Sequence, residues 1–499
     1  MIDFISTRNI KQKVTSKEAI IKGLSVDGGL YTPTSLPTMN INDLQKILEY
    51  NYIELANEIL YKILNDYTFE ELSFCTKNAY SNTFDTNDIT PLSKIGNDYL
   101  LELYHGPTSA FKDIALSILP NLLSVAYKSL DINKKIMILV ATSGDTGSSA
   151  LNGFKNVPNT FVNVFYPKDG TSIIQEKQMT IASGENVNVT SINGNFDDCQ
   201  KIVKYIFENN NIKNICNEKN ITFSSANSIN IGRLLPQIVY YFKAYFNLCK
   251  NNEIKIGEEI NFFVPSGNFG NILAGFFAKK IGLPINKLIC ASNENNVLTD
   301  FFRTGIYDKN RKLYNTLSPS MDILVSSNLE RLLFLLSDYD DKKVSSYMND
   351  LKNKGIYKID TNLKNNIQDV FLSFNANDTM CKLKIREIYE EYGIILDPHT
   401  AVAVCANEQF KKERINNNKN VILSTASFYK FPRAILSSLN KKISNDDFIN
   451  MENLQSLTKI KIPQNLSSLF NKKAIFNDVI NNDESIATTY IKELICKKF

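Results

Sequence analysis

The sequence predicts an α/β fold of two lobes with largely parallel sheets, preceded by a mainly helical N-terminal segment. Three observations carry that expectation. From about residue 95, short apolar runs rich in β-branched and aromatic residues alternate with helix-length segments, the rhythm of sheets covered on both faces. Two of those runs end in glycine-rich turns that open helices. Finally, 499 residues exceed what one compact core absorbs, so two or three packed units are expected.

Taken in order, residues 1–92 form the helical front segment. Ser16-Lys17-Glu18-Ala19-Ile20-Ile21 reads as a capped helix start, and Asp27-Gly28-Gly29 as a turn into Leu30-Tyr31-Thr32-Pro33. Residues 93–440 form the core, with strands expected at 136–141, 161–166, 187–192, 260–265, 287–291 and 421–426. The charged stretch 320–395 reads as helices, including 329–336 and 380–392, belonging to the smaller lobe. Residues 441–499 read as a polar helical tail.

Composition removes several function classes. Lys and Arg total 56 against 52 Asp and Glu, a net charge of +4. The basic residues fall singly or in pairs such as Lys134-Lys135, without a stripe for nucleic acid or anionic lipid. No run approaches the ~20 apolar residues of a membrane helix, and the early acid Asp3 does not suit a signal peptide. The eight cysteines are dispersed, none closer than Cys199 and Cys216. They suggest neither a zinc ribbon nor a disulfide framework, and fit a reducing cytoplasm. His105 and His399 are the two histidines, HExxH and GxxxxGK[ST] are absent, and no metal is implied.

Three constellations carry chemistry. The run Ile138 to Thr142 ends in Ser143-Gly144-Asp145-Thr146-Gly147, and the run Phe262 to Pro265 ends in Ser266-Gly267-Asn268-Phe269-Gly270-Asn271, each before a helix. A helix start offers unpaired N–H groups and partial positive charge, and glycine lets an anion approach them. Each turn is a candidate phosphate or carboxylate cradle, although many α/β proteins use such turns only to change direction. The third constellation is His105-Gly106-Pro107-Thr108-Ser109-Ala110-Phe111-Lys112-Asp113. A lysine in apolar surroundings has its ammonium form disfavoured and becomes a nucleophilic amine. Alone, it reads better as a helix-start lysine whose head reaches solvent.

The order of these blocks, with Gln175-Glu176-Lys177, Ser225-Ala226-Asn227-Ser228-Ile229-Asn230 and Ser424-Thr425-Ala426 between and after them, resembles threonine synthase. The resemblance runs from Ser6-Thr7-Arg8 and Gly23 to Leu30 as far as about residue 435. It implies a fold-type II, tryptophan-synthase-β-like enzyme dependent on pyridoxal 5'-phosphate (PLP). It also implies that O-phospho-L-homoserine and water become L-threonine and phosphate by γ-elimination and β-addition.

Carried over by position, Lys112 is the expected Schiff-base lysine and acid/base. Gly267, Asn268, Phe269, Gly270 and Asn271 are expected to hold the cofactor phosphate, and Thr425 to place a hydroxyl at the pyridine nitrogen. Ser143, Gly144, Asp145 and Thr146 are expected near the substrate carboxylate and the cofactor's 3-hydroxyl. Asn227, Ser228 and Arg233 are expected on the substrate phosphate, Arg233 through forked contacts. His105, in the tightest motif, is a candidate substrate contact, whereas His399 reads as a satisfied histidine at a helix start.

Two departures stand out. The family's Thr-Ala-His-Pro-Ala-Lys-Phe reads here Thr425-Ala426-Ser427-Phe428-Tyr429-Lys430-Phe431, and Asn271 stands where Asp is frequent. The resemblance implies a monomer or homodimer without nucleic-acid or membrane partners. Alternatives are a PLP-dependent serine/threonine dehydratase, a β-replacement enzyme or phospho-lyase, and a non-catalytic ligand-binding paralogue. The second phosphate site (Asn227, Ser228, Arg233) and Lys112 discriminate against them.

Overall fold

A computed structural model describes residues 2–413 and 417–498; Met1 and Phe499, the outer ends of the first and third expected segments, lie outside the described residues. Two sheets organise the chain. The larger runs Phe371–Asn375, Ile285–Ser292, Ile260–Pro265, Asn420–Ser424, Asp98–Glu102, Leu92–Ile95. Its first five strands are parallel and the last is antiparallel. The smaller runs Asp478–Asn481, Val187–Asn193, Thr160–Pro167, Lys135–Ala141, Ile221–Ser225, all parallel.

The central strands are continuous apolar runs because helices cover both faces. Every residue of Ile260–Pro265 and of Thr160–Pro167 is buried. All six expected strands exist, with the last shortened to Asn420–Ser424 because residues 425–427 leave the sheet for the active-site loop.

The structure adds to three expectations. The front segment is mainly helical as expected, and Phe4–Ser6, Asn9–Val14 and Tyr31–Pro33 form a three-stranded antiparallel sheet beside its helices. The stretch 320–395, expected in the smaller lobe, contributes Phe371–Asn375 to the edge of the larger sheet, where Phe371 and Phe374 are buried. The tail does more than add helices. Asp478–Asn481 pairs in parallel with Val187–Asn193, and the helix Glu484–Lys498 adds Ala487, Ile491 and Ile495 to the buried cluster that holds Met137, Phe161 and Phe165. These four strand residues contain one buried side chain, Ile480, so apolar periodicity is too sparse there to mark a strand.

The front segment is clamped onto the core by buried charge. Arg8 makes a forked contact with Glu330, donating from Nε at 2.8 Å and from Nη2 at 2.7 Å, while Thr7 donates to the same carboxylate at 2.6 Å. Arg331, fully enclosed, donates to the carbonyl of Tyr31 at 3.0 Å and to that of Ile229 at 2.6 Å. A buried guanidinium whose donors all find acceptors fixes geometry more than it adds stability. Here it ties the front sheet to the 228–229 backbone.

Candidate active site

The carboxyl ends of the parallel strands are where a doubly wound sheet opens a crevice for ligands. The loops after Ile260–Pro265, Asn420–Ser424, Lys135–Ala141 and Ile221–Ser225 all turn into one cavity, where a small-molecule site is expected. It brings together Lys112, Ser143, Asp145, Thr146, Asn227, Ser228, Arg233, Gly267 to Asn271 and Thr425. Gly144 sits in the same turn, at φ 132. A side chain there would meet Gln175, whose atoms lie 2.6–2.8 Å from the position of a Cβ.

Lys112 is the first residue of the helix Lys112–Ser129. The loop before it is stitched to the 425–427 loop: Phe111 N–H donates to Thr425 O at 2.9 Å and Ser427 N–H to Ser109 O at 3.1 Å. Burial strips water from the Lys112 ammonium and brings its pKa down to about 8. Asp145, with Oδ2 3.7 Å from Nζ, pulls it up, while Lys430 and Arg233 push it down. A useful share of the amine is therefore free of its proton around pH 8, far more than for an ordinary lysine, as imine formation requires.

Asp145 is the hub. Its Oδ1 accepts from Lys430 Nζ at 2.7 Å and from Gln175 Nε2 at 2.7 Å. Burial opposes its ionisation, but Lys430 and Lys112 outweigh that and hold the carboxyl well below the usual carboxylate range.

Two anion cradles open on the cavity. In the first, Phe269 adopts φ 62 and the helix Gly270–Ile281 begins beside it, turning successive N–H groups inward. Asn271 Oδ1 accepts from Tyr240 at 2.6 Å and Tyr241 at 2.9 Å, which leaves its buried Nδ2 without a partner. In the second, Arg233 is buried, its pKa lowered by burial to about 10. One Nη donates to the carbonyl of Ala226, and Nε has no partner. Buried donors without acceptors are uncommon, and each asks for a ligand atom or a water. Each cradle thus carries one. Asn328 bridges the two, donating from Nδ2 to Ser228 Oγ at 3.0 Å and to Asn268 O at 2.9 Å.

The donor set suits PLP. A helix-start nest with a spare amide matches its phosphate, and a desolvated lysine matches its aldehyde.

His105 departs from expectation. It does not line the cavity. Its ring is held between Asp85 (Nδ1, 2.6 Å) and Glu102 (Nε2, 2.9 Å), and these hydrogen bonds outweigh its burial and raise its pKa. His399 instead reaches the wall: Nε2 accepts the Ser320 N–H at 3.2 Å, and Nδ1 donates to Asp397 at 2.9 Å. Sequence reasoning assigned no role to Lys430, Gln175, Ser320 or Asn328. A signal existed for Lys430, a lone cation inside Phe428-Tyr429-Lys430-Phe431-Pro432.

The comparisons with known proteins give the chain its family. A family profile described as "Threonine synthase N terminus" matches residues 3–80, and one described as "Threonine synthase, C-terminal" matches residues 400–491. Threonine synthase of Saccharomyces cerevisiae is 37% identical over 489 residues, covering 91% of this chain and 93% of the relative. The chain belongs to the threonine synthase family. Threonine synthase-like 1 of Homo sapiens is 38% identical over 89% of this chain, which spans 61% of that longer relative. Among solved structures, PLP-bound threonine synthase from Brucella melitensis superposes with a TM-score of 0.86 at 32% identity, covering 99% of each chain. The fold-type II architecture of the threonine synthases is therefore the architecture of this chain.

Proposed function

We propose that the chain is a PLP-dependent threonine synthase that turns O-phospho-L-homoserine and water into L-threonine and phosphate. The observation that carries this is one buried, unpartnered donor in each of two adjoining anion cradles, Asn271 Nδ2 and Arg233 Nε, beside a buried lysine of depressed pKa. One phosphate-bearing cofactor and one phosphate-bearing substrate account for both.

In this reading PLP, when bound, supplies the electron sink for carbanion chemistry on the amino-acid carbons. Gly267, Asn268, Phe269, Gly270 and Asn271 hold its phosphate, Lys112 its aldehyde carbon, and Thr425 its ring nitrogen. Arg233, with Asn227 and Ser228, holds the substrate phosphate. Arg233 remains cationic in its buried site, so its forked donors face both the bound ester and the departing phosphate. The Ser143, Gly144, Asp145 and Thr146 turn receives the substrate carboxylate at the helix start Asp145–Gly153. Lys112, whose amine loses its proton near pH 8, takes and returns protons at the substrate carbons. The enclosing loops exclude bulk water, so that water adds only after phosphate has left.

All eight cysteines are unpaired, which supports a reducing, cytoplasmic setting. Among the described residues no helix is long and apolar enough to cross a membrane.

The test is phosphate release and threonine formation from O-phospho-L-homoserine, for the wild type and Lys112→Ala side by side. Equal amounts of both products from the wild type, and neither from the variant, are expected. Phosphate without threonine would make it a phospho-lyase, and no turnover by PLP-loaded protein would leave the dehydratase or ligand-binding reading.

A further inference from the structure

Lys112 is not the only lysine at Asp145. Lys430 is fully enclosed, with Nζ 2.7 Å from Asp145 Oδ1 and 2.8 Å from the carbonyl of Thr108. Lys112 Nζ stands farther away, 3.7 Å from the other carboxylate oxygen. Gln175 Nε2 takes the near oxygen as well, at 2.7 Å. Two ammonium groups thus compete for one buried carboxylate, and the shorter contact belongs to the lysine that does no chemistry.

Resting on the threonine synthase reading, we propose that Lys430 is a positioning residue that occupies Asp145 so that the carboxylate cannot hold Lys112 as an ammonium ion. A lone Lys112–Asp145 pair in a buried site would keep its proton, because the ion pair is stabilised where water is scarce. With Lys430 on the near oxygen the pair becomes a triad with one excess positive charge. Lys112, 3.7 Å from the carboxylate against 2.7 Å for Lys430, is then the more loosely held cation.

The rest of the electrostatic surroundings do not reverse this. Arg233, on the helix Ile231–Leu234, adds positive charge and also favours the free amine. Asp113, on the lysine's own helix, is engaged by the N–H of Thr108 at 2.8 Å and its hydroxyl at 2.6 Å, and it faces Lys430 and Arg233 electrostatically. His399, across the cavity, is held by Asp397 and accepts from Ser320. Thr108 links the parts mechanically, since its carbonyl receives Lys430 and its N–H and hydroxyl bind Asp113, next to Lys112.

The experiment reads Lys112 directly and needs no turnover. Apo-protein is mixed with PLP over roughly pH 6 to 10, and the rate of imine formation is followed by absorbance near ~410 nm; the amine condenses with the aldehyde and releases water. Lys430→Gln keeps a donor for Asp145 but removes the charge, and the midpoint of the pH–rate profile is expected to rise by about one unit or more from the wild-type value. Imine formation at neutral pH should slow about tenfold. The double variant Lys430→Gln/Asp145→Asn should return the midpoint to the wild-type value or below. A Lys430→Gln midpoint that stays put or falls, in protein that unfolds at the wild-type temperature, overturns the proposal. So does a double variant whose midpoint stays high. If Lys430→Gln does not fold, Asp145→Asn alone leaves Lys430 unopposed and must lower the midpoint; an unchanged or raised one overturns the idea. Absence of any imine in the wild type would sink the cofactor reading and this proposal together. A wild-type imine with no substrate turnover would remove the reaction assignment alone, with the pH profiles still deciding the role of Lys430.

Discussion

The backbone N–H of Phe111 donates to the carbonyl of Thr425 at 2.9 Å. That bond joins the loop presenting Lys112 to the strand end presenting Thr425. With the bond from Ser427 N–H to Ser109 O, it sets the spacing of two groups expected at opposite ends of one cofactor ring, although more than 300 residues separate them in the chain.

Replacing Lys112 by Ala should abolish the ~410 nm band and cut turnover by at least about 1,000-fold, because nucleophile and proton carrier are lost together. Lys112→Arg should fail equally, since a guanidinium does not shed its proton in this pH range. Absorbance and product assays on the same samples check both.

Arg233→Lys keeps the charge and removes the fork. The KM for O-phospho-L-homoserine should rise about 10- to 100-fold, as expected from losing a charge-assisted hydrogen bond. Affinity for PLP should change little, because Arg233 lies in the second cradle. Steady-state kinetics and cofactor titration separate the two effects.

Asn271→Leu leaves the hydroxyls of Tyr240 and Tyr241 without their shared acceptor and removes the spare Nδ2 donor. A stability loss of about 1–3 kcal/mol is expected, together with weaker PLP binding. Tyr240→Phe should cost about 1 kcal/mol and leave PLP affinity intact. Denaturant unfolding and cofactor titration are the measurements.

His105 gives a pH prediction separate from catalysis. Its pKa in the folded chain lies above 6.5, so its contribution is fully present below pH 6.5 and fades as pH rises through the folded value. Glu102, held below 4.5 by bonds that outweigh its burial, contributes fully above pH 4.5 and fades as pH falls through its folded value. The stability gap between wild type and His105→Gln should therefore be widest between pH 4.5 and 6.5 and narrow on the alkaline side. A gap that grew above that window would contradict the bridge to Asp85 and Glu102.

The strands legible in the sequence were those buried on both faces, such as Ile260–Pro265, because continuous apolar runs leave a local trace. Ile221–Ser225 and Asp478–Asn481 were missed, since both are short sheet-edge strands with polar residues among the apolar ones. The candidate site was legible where backbone chemistry demands particular residues, as in the 143–147 and 266–271 turns. Lys430 and Asn328 were not. Each acts through a partner far away in sequence, Asp145 for one and Asn268 with Ser228 for the other; the aromatic run around Lys430 marks it as buried but does not name its partner. His105 misled for the opposite reason: its neighbours in the motif reach the cavity, while its own ring is claimed by Asp85 and Glu102.

The late strand Asp478–Asn481 has a consequence for the order of assembly. The other four strands of the smaller sheet are complete by Ser225, yet their fifth neighbour and the helix that completes the apolar cluster of Phe161 and Phe165 emerge roughly 250 residues later. At ribosomal speeds of about 5–20 residues per second, that is a wait of roughly 10–50 s. Throughout it the nascent lobe exposes an unpaired edge and part of an apolar face, so the growing chain is open to misassociation until its last segment arrives.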